Sequence, residues 1–271
     1  MSEVSVNPVC KVRLRFSKTD DMRFLSHHDL MRLLERLCRR ANLPLRATEG
    51  FNPKAKITFA SALGLGIMGH EEVVEIELDG DHTADTIISQ LSRLVPDGFR
   101  FLWGNTVPVK KAAQPVRAVY FFALPADFRP ELSDLLASLL KQDRLVIDRI
   151  RHVMQSPADA EPAGEERLDA LTQAAPVIER KEIKKLDIRP FIHNLWRDAT
   201  GYWMDVAITN HGAIRPEELV RLIDLEDYML DGHSVLERMK LVVEDELPAL
   251  PGAERLKQKT AQDSTVTTVP A

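Results

Sequence analysis

Residues 11–16, KVRLRF, alternate without a break: Val12, Leu14 and Phe16 fall on one side of an extended chain, and Lys11, Arg13 and Arg15 on the other. Such a segment belongs in a sheet with one apolar face buried. The segments after it limit the topology. Ser26 with Asp29 three residues on is a capping-box variant that offers acceptors to the first free amides of a helix. Leu30, Leu33, Leu34, Leu37, Cys38 and Ala41 then trace one face at helical period, and Pro44 stops further helix. Residues 56–60 read as a strand, 71–78 as another, 83–94 as an amphipathic helix ended by Pro96 and Gly98, and 99–103 as the start of a fourth strand. The order is β-α-β-β-α-β, the split βαβ or ferredoxin-like plan, with two helices on one sheet face and the other face free for another domain, nucleic acid or solvent.

A second copy of the plan comes next. Residues 118–124 and 145–150 read as strands around a helix at 130–141, 184–193 and 202–209 as paired strands, 215–223 as a helix, and 236–243 as the last strand. The expected fold class is therefore α+β: two tandem ferredoxin-like domains, at 8–112 and 113–247. An insertion rich in Pro, Ala and acids interrupts the second around 155–176, and a polar tail at 248–271 is expected to be disordered. A chain of 271 residues is long enough for two cores.

No stretch approaches the ~20 apolar residues that cross a bilayer, and the first residues lack an apolar leader core, so the expectation is a cytoplasmic protein with no membrane role. The two cysteines, Cys10 and Cys38, stand 28 apart with no CxxC or zinc-like spacing, so neither a disulfide framework nor a metal or other cofactor is expected. The net charge of −5 conceals a polarity. Residues 11–56 hold 12 Lys and Arg against 5 Asp and Glu, and the remainder 24 against 36. A local anionic partner fits this pattern; wholesale coating of nucleic acid does not.

Within the basic segment, Arg13 and Arg15 would share the open sheet face with Glu75 and Glu77, giving cross-strand ion pairs. Residues 11–15 bring no aromatic side chain to that face, which disfavours a general RNA-recognition motif. Arg32, Arg36, Arg39 and Arg40 recur at helical spacing along one exposed stripe, with only Glu35 on that helix to neutralise them. His27 and His28 diverge by about 100° on a helix and do not ligate one metal easily. In the turn TEGFNPKAK, residues 48–56, Gly50 permits a positive φ and Pro53 stiffens the chain behind Asn52. Phe51 must pack or stack to escape water there. Lys54 and Lys56 flank it, so the loop suits an anion or is a tight hairpin plugged by Phe51.

Two blocks carry a resemblance. RFSKTDDMRFLSHHDLMR resembles the pattern R-F-x-K-x-x-x-x-R-F-L-S-H-x-D-L-x-R, and TEGFNPKAKITFA resembles S-E-G-F-N-P-x-x-K-I-S-F-A, both of the radical-SAM-linked protein family (DUF2344). KLDIRPFI at 185–192 is similar to that family's second-half motif. Lys54 stands where the family commonly has His, and His28 where it has Leu, so no role for a loop histidine carries over. The resemblance implies a stand-alone member that works with a separate, cobalamin-binding radical SAM protein, because this chain has no CxxxCxxC to hold such an enzyme's cluster.

The leading expectation is a non-catalytic accessory module that binds RNA, whether tRNA or rRNA, and not DNA. Its anion-binding residues would be Arg15, Lys18, Arg23, His27, Arg32, Arg36, Lys54 and Lys56, beside a recognition loop of Glu49, Gly50, Phe51, Asn52 and Pro53. Two alternatives remain open. One is a metal-independent endoribonuclease with His27 as general base. The other is a protein-docking partner with no nucleic-acid role.

Overall fold

A computed structural model describes residues 8–155, 178–209 and 212–246. The insertion expected around 155–176 and the tail expected at 248–271 lie outside the described residues.

The first half runs β1 (Val9–Lys18), α1 (His27–Arg40), β2 (Ile57–Phe59), β3 (Met68–Asp79), α2 (Ala84–Leu91) and β4 (Phe99–Val107). β3 and β4 flank β1, and β2 lies on β3, every pair antiparallel. The second half runs β5 (Pro115–Ala123), α3 (Leu132–Leu140), β6 (Val146–Gln155), β7 (Ile178–Asp187), β8 (Ile192–Arg197), β9 (Gly201–Thr209), β10 (Gly212–Ala213), α4 (Pro216–Leu222), α5 (Glu226–Leu230) and β11 (Leu236–Val243). Here β11 and β9 flank β5, and β8 lies on β9. A short parallel ladder, Glu237 opposite Met68 and Arg238 opposite Gly69, joins the halves. The result is one nine-stranded sheet in a mixed α+β fold.

The caps and stripes explain the local structure. Ser26 Oγ accepts the Asp29 amide at 3.2 Å and donates to the Asp29 carboxylate at 2.7 Å, which fixes the start of α1. Leu30, Leu34, Leu37 and Cys38 of that helix are buried against Val12, Leu14, Phe16, Val74, Ile76 and Leu78. A separate core in the second half gathers α3, α4 and α5 against the inward row of β5 and β9, including Tyr120, Phe122, Tyr202 and Met204.

Three expectations about the strands need correction. Residues 145–150 do not join the main sheet: β6 pairs with β7 in a separate two-stranded ribbon, Val146 opposite Asp187. The strand expected at 184–193 is two strands. A 3-10 turn at Arg189–Phe191, carrying Pro190, breaks it, because proline cannot donate to a ladder. The Asp187 carboxylate fastens that turn by accepting the Leu145 and Arg189 amides. The chain before it pairs with β6 and the chain after it with β9.

The third correction concerns the outward row of β1. Lys11, Arg13 and Arg15 are buried, Arg15 to 1% exposure. Arg13 does form the expected pair with Glu75, at 2.8 Å, and Lys11 reaches the same carboxylate at 2.9 Å. Arg15 pairs elsewhere. Its guanidinium donates to the Leu241 carbonyl at 2.5 Å and to the Glu246 carboxylate. Asp245 meets Arg13 at 2.5 Å and Lys111 at 3.1 Å. The acidic turn Glu244–Glu246, at the end of β11, thus lies against the basic row that local alternation assigns to an open face.

Candidate functional site

The two motif blocks converge on a small cleft at the seam. Phe16 and Lys18 end β1, Leu25 and His27 open α1, and Phe59, Ser61 and Leu63 lead on from β2; Glu72 of β3 closes the floor. The space is about 10 Å³, roughly that of one water. The His27 ring stands edge-on to Phe59, with centroids 5.1 Å apart, at the mouth of the cleft.

Beneath it lies a buried charged cluster built from both halves. Glu72 forms a two-pronged ion pair with Arg238 of β11; both are under 5% exposed. Arg238 also donates to the Ala62 carbonyl at 3.1 Å and to Ser61 Oγ at 3.3 Å, and approaches the Tyr120 hydroxyl at 3.5 Å. The Lys18 ammonium donates to the carbonyls of Arg23 and Leu25, at 3.3 and 3.2 Å. Burial pushes its pKa down; Arg238 adds to that and Glu72 opposes it. Burial also works against the Arg238 guanidinium, but the Glu72 carboxylate outweighs it and keeps the guanidinium protonated. The cluster brings two cations and the Glu72 carboxylate together beneath the cleft. Nearby, His70 of β3 meets Glu237 of β11 at 2.5 Å, and this hydrogen bond raises the imidazole pKa.

The expected basic residues do not form one surface. Arg15 and Lys18 are each 1% exposed. Arg23 is half-buried, with its guanidinium over the exposed Phe24 ring at 4.6 Å. Lys18 and Arg23 sit at the Gly69 end of β3, where Lys18 pairs with Gly69 and the Gly66 amide donates to the Arg23 carbonyl. Lys54 and Lys56 sit at the other end, because the hairpin bearing them is anchored through Arg46, Lys56 and Glu77. Gly69 and Glu77 are eight residues apart on a strand, roughly 26 Å. Lys56 is further occupied by Glu77 at 3.2 Å, while Lys54 is exposed.

The turn at 48–56 is a tight hairpin. The Thr48 amide donates to the Lys54 carbonyl at 2.8 Å, and the Lys54 amide to Thr48 Oγ1 at 3.0 Å. Gly50 takes the expected positive φ, at 123°. Phe51 does not plug it. The ring stands wholly exposed at the tip, among the exposed Glu49, Asn52 and Pro53.

Between the two ends runs α1, a 14-residue helix spanning about 20 Å. Arg32, Arg36, Arg39 and Arg40 are all exposed. Arg39 pairs with Glu35 at 2.5 Å, and Arg32 pairs with Asp29 at 3.3 Å, so the helix carries a second neutralising carboxylate beside Glu35. Arg36 and Arg40 have no carboxylate partner among the described residues, and they border an open groove of about 480 Å³ floored by Leu33, Leu37, Leu94, Val95 and Pro96.

Sequence reasoning missed Glu72, Arg238, Tyr120 and Ser61. Glu72 sits beside Glu71 in an acidic strand and Arg238 in the mixed run LERMK. Neither position carries a local signal that distinguishes a buried ion pair from a solvated one. Among the described residues, no group of three or more His, Cys, Asp or Glu side chains is placed to hold a metal ion, and no helix is long and apolar enough to cross a membrane.

Fold and site together define a mixed α+β protein whose two halves share one sheet and clamp a buried ion pair beneath a small motif-lined cleft. The sequence profile of the family described as "Uncharacterized protein conserved in bacteria (DUF2344)" matches residues 11–216, and the chain belongs to that family. No match to this chain was found among curated proteins.

Proposed function

We propose that this chain is a non-catalytic accessory module that recognises RNA and acts with a separate radical SAM enzyme, as its motif resemblance implies. The observation that carries the RNA part is the exposed arginine stripe of α1, where Arg36 and Arg40 border an apolar groove and, among the described residues, have no carboxylate partner. Guanidinium groups in that setting bind phosphate by paired hydrogen bonds. The neighbours β4-β1-β3-β2 in the first half and β11-β5-β9-β8 in the second support our reading of the fold as two ferredoxin-like repeats joined through β3 and β11. In this reading the interface is the α1 face, with Lys54 near its C-terminal end, while Arg15 and Lys18 hold the seam together.

The docking part rests on Phe51. A fully exposed aromatic ring on a stiff hairpin is costly in water and suits insertion into a pocket of a protein partner. Titration of small RNA against the purified chain at two salt concentrations tests the RNA part, because affinity built on phosphate contacts falls steeply with salt. The Arg32→Glu/Arg36→Glu double variant is expected to abolish that binding. Unchanged affinity in the variant would overturn the α1 interface.

A further inference from the structure

The second half presents adjacent aromatic rings on its sheet, where residues 11–15 of β1 bring none to theirs. Phe121 on β5 and Trp203 on β9 are register partners, and both belong to the row opposite the one that packs under α3, α4 and α5. Their rings lie 4.6 Å apart. Trp196, opposite Trp203 on the edge strand β8, stacks parallel to it, with centroids 5.7 Å apart and ring planes within 5°. The Trp203 indole is held in place by donating to the Asp198 carboxylate at 2.7 Å. All three rings are half-buried.

Cross-strand aromatic pairs also stabilise a sheet on their own. The polar neighbours point to more than that. Arg117 and Asp205 lie in the same outward rows of β5 and β9 and approach to 3.2 Å. The contact joins Arg117 Nε to Asp205 Oδ1, and both of those atoms are buried. The Arg117 side chain stays 42% exposed beside the aromatic floor, so it is accessible to a ligand as well as to Asp205. His193, exposed on β8, adds a third polar group and interacts electrostatically with Asp205.

We propose that this sheet face is a stacking platform for single-stranded RNA, with bases laid on Phe121, Trp203 and Trp196 and a base edge read by Arg117 and Asp205. Aromatic side chains on the two central strands of a four-stranded sheet are the arrangement by which sheets capture unpaired bases. The inference rests on the RNA reading above, but places a second contact on a different half of the chain. It predicts that single strands bind better than duplex, since paired bases cannot reach the rings.

The test is a titration of tryptophan emission with an unstructured uridine decamer and with a duplex of the same length. Two of the chain's three tryptophans lie in the platform, so decamer binding should quench the emission saturably. Phe121→Leu and, separately, Trp196→Leu should each weaken binding roughly ten-fold. Trp196 is on an edge strand, so its replacement keeps the test decisive if Phe121→Leu fails to fold; circular dichroism shows whether it does. Binding that survives both substitutions but disappears in Arg32→Glu/Arg36→Glu overturns the platform and leaves the α1 interface standing. Loss in the platform variants with α1 variants unaffected supports the platform and overturns α1 as the RNA contact. No binding of either strand form, or capture of a protein partner by this face in place of RNA, overturns the platform.

Discussion

Replacing Glu72 by Gln keeps the side chain's shape and removes its charge, which isolates the part played by the ion pair at the seam. In the native chain the two-pronged contact with Arg238 is the principal anionic support of a guanidinium that is 2% exposed. The Lys18 ammonium shares that field. After substitution, both buried cations lose that carboxylate, and among the described residues Arg238 keeps the Ala62 carbonyl, Ser61 and Tyr120. Breaking one side of a buried pair costs about 3–5 kcal/mol, against less than about 1 kcal/mol for an exposed pair. For a folded unit of this size that corresponds to a Tm lowered by roughly 6–20 °C. Thermal and urea unfolding, monitored by circular dichroism, measure it. The double variant Glu72→Gln/Arg238→Met should recover part of the loss, because it removes the orphaned charge along with its partner. A single variant that loses under about 1 kcal/mol, or a double variant as unstable as the single, would refute the reasoning.

Burial pushes the Cys38 thiol up to about 12, so a thiol reagent at pH 8 should label it only as fast as the chain opens, and rapid labelling of the folded chain would contradict its placement. Gly98 has φ 78°, and an added Cβ would meet the Thr19 carbonyl oxygen at 2.7 Å, so Gly98→Ala should cost about 1–3 kcal/mol in urea unfolding; a neutral result would rule that contact out. The His70 imidazole has a folded pKa above its ordinary 6.5 because of Glu237, so its contribution to the seam is complete below 6.5 and is lost as pH rises through the higher folded value. Glu237→Gln should therefore flatten the pH dependence of stability just above pH 6.5. A wild-type profile already flat there would dismiss the His70 contribution.

How much of the molecule is legible in its sequence depends on whether the deciding contact is local. The alternation of 11–16, the Ser26 cap and the apolar stripe of α1 act within one or two turns of chain, and β1 and α1 stand where those signals put them. The strand read at 236–243 also stands. At 184–193 the β-rich composition masks Pro190, whose missing donor divides the strand. Burial of Arg15 and Lys18 is not readable, since outward alternation looks the same whether solvent or another segment covers it. The covering groups, Leu241 and Glu246, lie more than 220 residues from Arg15. The aromatic platform is hidden for a related reason. Phe121 and Trp203 become neighbours only when β5 and β9 pair, and a reading that disfavours an RNA-recognition motif from residues 11–15 does not see them. The exposed Phe51 goes the opposite way: an apolar residue in a tight turn suggests a plug, but the hairpin closes through backbone and Thr48 without it.

The measurement closest to the central claim is binding of total small RNA to the purified chain at low and at physiological salt, with the Arg32→Glu/Arg36→Glu variant alongside. The account predicts binding by the native chain that weakens steeply as salt rises and is absent in the variant. A native chain that fails to bind RNA at low salt, or a variant that binds as well as the native chain, would contradict it and leave the arginine stripe as a solvated helix face.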